Sequence, residues 1–154
     1  MREFLSWTAL SELARPSRLC STTRALTRSE YRTKKGNVMR FAFVIIENER
    51  SRKSVVEDRA AHRRGIEEWM KRAAAEGYLL GGEAFETESI APVTIRRDAD
   101  LAPVVTEGPF AGSDETLGGY ILIEAAGMQE AVEIAKSWPA TGESLEVRPL
   151  WEAS

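Results

Sequence analysis

Proton transfer near neutral pH asks first for an imidazole, and this chain carries a single one, His62. It reads either as a general base or as a half-buried structural histidine flanked by Arg63 and Arg64. A second candidate is the carboxylate of Glu107, which opens the tetrapeptide Glu107-Gly108-Pro109-Phe110. Pro109 fixes its own φ and Gly108 permits close approach of another backbone, so the segment forms a bend with Phe110 as an apolar plug. There Glu107 either accepts a proton at the lip of a cleft or merely shapes a loop. Arg96, Arg97 and Arg148 supply forked donors suited to a small anionic molecule, unless they pair with Glu83, Glu86, Asp98 or Glu146.

The rest of the composition excludes more than it selects. With 154 residues, 43% apolar, 11 Gly and 6 Pro, the chain suits one folded domain and neither wholesale disorder nor a collagen-like repeat. No run approaches the ~20 apolar residues that cross a bilayer, so no membrane partner is expected. Cys20 has no second cysteine to bridge with, which suggests a reduced, cytoplasmic setting. One His and one Cys cannot close a zinc site, and Gly118-Gly119 lacks the Lys-Ser/Thr of a phosphate loop, so neither metal nor cofactor is expected. Charge is uneven. Residues 1–38 hold eight basic and three acidic side chains, whereas 39–154 balance to −8, which argues against a nucleic-acid groove. We expect residues 1–38 to be a poorly ordered extension, or an upstream start before a natural Met39, and 39–154 to be the domain.

These candidates need elements to hold them. Residues 40–46 (RFAFVII) read as a buried central strand. Ser54 with Glu57 forms a capping-box pattern, opening a helix over 54–76 in which His62, Ile66, Trp69 and Ala73 share a stripe and Gly77 is the stop. A second strand starts at Tyr78. Val93 and Ile95 alternate with Thr94 and Arg96 in a half-exposed strand over 92–97, paired as a hairpin with 103–106. A buried strand over 119–124 leads to a helix from Met128 to Trp138, ended by Pro139. The last strand, 145–150, contains Pro149 and belongs at an edge. The order predicts an α+β fold of the split βαβ, ferredoxin-like kind, with both helices on one sheet face and the other face left for a homodimer.

Thr106-Glu107-Gly108-Pro109-Phe110-Ala111, Leu117-Gly118-Gly119-Tyr120 and Leu145-Glu146-Val147-Arg148-Pro149, with Gly77, Gly81-Gly82-Glu83 and Trp138-Pro139, resemble the YCII-related family over residues 39–152. Within it they are most similar to the group named for an Asp-Gly-Pro-Phe motif. The resemblance implies a dimeric α+β barrel with a cleft in each subunit, to which Phe110 and Tyr120 would contribute ligand contacts. It also implies either acid/base chemistry on a small molecule, of lyase or isomerase type, or a non-catalytic regulatory role with a protein partner linked to a sigma factor. Three departures stand out. Glu107 replaces the motif Asp, Gly112 and Asp114 replace a Glu and a Lys, and His62 sits one helical turn before the family's histidine position, which Ile66 occupies.

Overall fold

The computed structural model describes residues 36, 38–110 and 114–151. The expectation for the leading segment, Gly36 and Val38 apart, and the substitution at Gly112 fall outside these residues. Strand β1 (Met39–Glu47) turns Phe41, Phe43 and Ile45 to one face and Ala42, Val44 and Ile46 to the other, as period-2 alternation requires. The two phenylalanines are wholly buried, each contributing roughly 1.5–3 kcal/mol of transfer free energy. Their neighbours on the same face are Ile121 and Ile123 of β5 (Thr116–Ala125) and Leu145 and Val147 of β6 (Ser144–Pro149). With β2 (Leu79–Ala84) the strands form one antiparallel sheet in the order β2-β5-β1-β6. This is the ferredoxin-like α+β order. Pro149 lies in β6, an edge strand, where a missing N–H costs least.

The helical region departs from the sequence reading at its start. Two helices replace the single one expected over 54–76: α1 (Glu49–Glu57) and α2 (Arg59–Glu76). The capping box is Asn48 with Ser51, not Ser54 with Glu57. Ser51 N–H donates to Asn48 Oδ1 and Asn48 N–H to Ser51 Oγ, both at 2.9 Å. Asp58 interrupts the chain with φ −139° and ψ 66°, and its side chain accepts from Ala61 N–H to start α2. Gly77 ends α2 at φ 85°, the left-handed cap expected of glycine there. Trp69, Met70 and Ala73 bury the α2 stripe against the sheet.

After the sheet's β5 strand, α3 (Met128–Ala135) stops three residues short of the expected Trp138, because Lys136, Ser137 and Trp138 close as tight turns onto Val132, Ile134 and Ala135. Trp138 is thereby freed from the helix to pack edge-on against Trp69, with ring centroids 5.2 Å apart. Between β2 and β5, strands β3 (Val93–Arg97) and β4 (Pro103–Glu107) form a separate two-stranded ribbon. It is more open than the expected half-exposed strand. Val93, Ile95 and Val105 share one face and are 60%, 64% and 65% exposed. Close strand contact explains Gly82, where a Cβ would lie 2.6 Å from the Tyr120 carbonyl oxygen.

Candidate functional site

Three segments meet at the end of the sheet where β1 finishes and α2 begins. Helix α2 brings His62. The loop after α3 brings Trp138, Thr141 and Glu143, and the end of β1 brings Glu47. The loop comes close because Gly65 carries no side chain: a Cβ there would sit 3.3 Å from Pro139 Cβ. A glycine inside a helix costs about 1 kcal/mol against alanine, so this contact offsets a real local penalty. The far side of the loop is held by α1, where Asn48 Nδ2–H donates to Gly142 O at 3.3 Å.

Together these segments enclose a cavity of about 60 Å3 lined by Ile45, Glu47, Ser51, Val55, His62, Ile66, Ala84, Gly118, Trp138 and Glu143. At ~30 Å3 per water in the liquid, that is room for a small functional group rather than a whole ring system. Glu143 is the fixed point of its polar wall. Its Oε1 accepts from Trp138 Nε1–H at 3.0 Å, and its Oε2 accepts from Thr141 N–H at 2.8 Å and Thr141 Oγ1–H at 3.0 Å. Burial pushes this carboxyl up. Bonds from its own backbone N–H, Trp138 and Thr141 together outweigh burial and hold it below the usual carboxylate value.

Thr141 Oγ1 also lies 3.3 Å from His62 Nδ1. An ionised carboxylate only accepts, so the hydroxyl proton points to Glu143 and the oxygen accepts from His62 Nδ1–H. Neutral His62 is thereby set with its lone pair on Nε2. This is the arrangement of a base oriented by a hydrogen-bonded partner. In Thr141→Val the orienting oxygen is gone, and the nitrogen shifts of the lone imidazole are expected to move toward the Nε2–H tautomer. An unchanged tautomer in that variant would show that Thr141 does not set it.

The other residues singled out from sequence lie elsewhere. Glu107 ends β4 on the open ribbon and does not line the His62 cavity. Arg96 donates to Phe110 O and its guanidinium lies 5.2 Å from the centroid of the exposed Phe110 ring. The bend itself folds back on β3, with Thr94 Oγ1 donating to Gly108 O and Gly108 N–H to Pro92 O, each at 2.8 Å. Arg148 pairs with Glu146 on β6. Tyr120, beside Val44 on the helix-free face of the sheet, meets Phe85 at 6.1 Å between ring centroids. Thus the ribbon gathers Arg96 and Phe110, the sheet holds Tyr120 and Arg148, and His62 stands with Thr141, Glu143 and Glu47, none of which the sequence reading had joined to it. Among the described residues, no group of three or more His, Cys, Asp or Glu side chains is placed to hold a metal ion, and no helix is long and apolar enough to cross a membrane.

Comparison with known proteins bears on the frame that carries this site. An uncharacterised protein of Rhizobium meliloti (strain 1021) is 38% identical over 85 residues, covering 53% of this chain and 67% of the relative. The family model for the YCII-related domain matches residues 39–154, a span that includes every strand and helix described above. The chain belongs to the YCII-related family.

Proposed function

We propose that this YCII-related protein binds a small molecule at the His62 cavity and moves a proton on it, with His62 Nε2 as the base. One observation carries the reading: the only imidazole of the chain borders a cavity and is oriented through Thr141 by Glu143. A base with Nδ1 engaged and Nε2 directed to a ligand is the form that abstraction of a proton requires. Reactions of lyase or isomerase type begin with removal of a proton by such a group. The test is a thermal-shift screen of small metabolites against wild type and His62→Gln. Compounds that raise the wild-type Tm are expected to lose that effect in the variant. Equal stabilisation of both proteins would place binding elsewhere.

A second feature supports assembly as a homodimer. The helix-free face of the sheet presents half-buried Ala42, Val44, Ile46 and Leu122, and the ribbon presents exposed Val93, Ile95 and Val105, so one chain carries two apolar β surfaces on which further cover can be placed. An isolated two-stranded ribbon is marginal in water, and a two-fold interface lets a second copy bury the same surfaces reciprocally. Ile95→Glu combined with Val105→Glu is expected to convert a species of twice the chain mass into a folded single chain in sedimentation. Wild type sedimenting as one chain at tens of micromolar would instead favour the regulatory alternative, with the ribbon engaging a different protein.

A further inference from the structure

Beyond a base, the cavity's side chains differ in which of their polar atoms are already hydrogen-bonded, and that difference bears on the kind of head group the cavity holds. Both oxygens of Glu143 are already engaged by Trp138 and Thr141. Ser51 Oγ is also committed, donating to Asn48 O at 3.0 Å and accepting from Asn48 N–H at 2.9 Å. Two side chains of the lining each keep one polar atom without a hydrogen bond among the described residues. One is His62 Nε2. The other is Glu47 Oε1, since Thr87 Oγ1–H donates at 2.9 Å to Oε2 and leaves Oε1 unengaged.

Glu47 reaches this position because of Gly118. A Cβ on residue 118 would stand 2.5 Å from Glu47 Oε1 and 2.7 Å from its Cγ and Cδ. The first glycine of the Leu117-Gly118-Gly119-Tyr120 segment therefore provides the notch in which the carboxylate lies. Both unengaged atoms are acceptors: ionised Glu47 carries no proton, and Thr141 leaves neutral His62 with its lone pair on Nε2. No Arg or Lys lines the cavity, and Ile45, Val55, Ile66 and Ala84 supply its apolar walls. A carboxylate or phosphate entering here would meet two acceptors and no free side-chain donor, and desolvating an anion without a donor is costly. A compact cation with two N–H groups would satisfy both atoms.

Resting on the proposed small-molecule reading of this cavity, we infer that its ligand presents a cationic nitrogen head group with two N–H donors, of amidinium or protonated-amine type, held between Glu47 and His62 Nε2. The anion expected from Arg96 and Arg148 then has no place in this cavity. The chain's only histidine makes the test direct, because ring signals of a single imidazole report on the site without assignment. Acetamidinium and acetate are titrated separately into wild type and Glu47→Gln at about pH 8. Acetamidinium is expected to shift the His62 ring signals saturably, with acetate inert. Glu47→Gln keeps the shape and an oxygen for Thr87, and is expected to weaken acetamidinium about tenfold, the worth of one charge-assisted bond. Acetate shifting the ring as strongly as acetamidinium overturns the inference while leaving a small-molecule cavity in place. Silence from both probes also overturns it, and the metabolite screen with His62→Gln then decides the broader reading independently. The contrast between the two probes in wild type stands even if Glu47→Gln fails to fold.

Discussion

Trp69→Ala is expected to cost about 3–5 kcal/mol of folding stability, the range for deleting a buried indole. Trp69 is 1% exposed and lies at the centre of the α2 stripe. Its ring stands edge-on to Trp138 at 5.2 Å and to Tyr78 at 6.3 Å between centroids. Aromatic pairs of this geometry add about 0.5–1.5 kcal/mol each beyond the area they bury. The indole N–H also donates to Ser137 Oγ at 2.8 Å, which fixes the turn after α3. Alanine removes all of these contacts and leaves a void between helix and sheet. Trp69→Phe separates the contributions, since it keeps an aromatic ring and loses the Ser137 bond, and a smaller loss of about 1–2 kcal/mol is expected. Urea denaturation of the two variants measures both. A loss below about 1.5 kcal/mol for the alanine variant would mean that the surroundings collapse into the void, a more plastic core than the contacts indicate.

The same indole explains why stability and site are coupled. Trp138, which packs on Trp69, is also the donor to Glu143 Oε1 and a wall of the cavity. A void beside Trp138 loosens the anchor of Glu143, and through Thr141 the orientation of His62. Trp69→Ala is therefore expected to broaden the His62 ring signals at temperatures where the protein is still folded. In Trp69→Phe, which retains a ring beside Trp138, those signals should stay sharp.

Much of the fold was legible because its signals are local. Phe41, Phe43 and Ile45 alternate within one strand, Gly77 takes the left-handed φ of a helix cap, and Pro149 lies in an edge strand, where its missing N–H breaks no interior ladder. The helix start was misread for an equally local reason. Asn48 and Ser51 have the same three-residue spacing as Ser54 and Glu57, and a linear pattern does not say which pair wins. The pair that forms also has a tertiary tie, since Asn48 Nδ2–H donates to Gly142 O. The site was half legible. His62 is conspicuous as the only imidazole, yet Thr141 is 79 residues away along the chain. A loop beside a helix leaves no periodic trace. The one local hint was the polar Thr141-Gly142-Glu143 turn directly after Trp138-Pro139. Arg96, Phe110 and Glu107 surround a bend that is conspicuous in the sequence, yet Arg96 bonds to Phe110 rather than lining the cavity of His62.

Glu143→Ala is the substitution with the largest expected consequence for the site, and its effect should depend on pH. The carboxylate accepts from Thr141 N–H and Oγ1–H and from the indole of Trp138, which is only 7% exposed. Removing it strands a buried indole N–H and releases the 141–143 loop, which should cost about 2–4 kcal/mol near neutral pH. In the folded protein the carboxyl ionises below its ordinary value of 4.5. The unfolded chain therefore takes up the proton first as the solution is acidified. The stabilisation from ionised Glu143 is fully present above about pH 4.5 and is lost as pH falls through the lower, folded-state value. Wild type and Glu143→Ala should differ most at neutral pH and converge in acid, which urea midpoints measured across that range will show. A constant gap at all pH values would mean that the side chain acts through packing rather than charge. The sign also matters for His62. Glu143 stays ionised above its ordinary value, so the Thr141 hydroxyl keeps its proton on Glu143 and its oxygen toward His62 Nδ1.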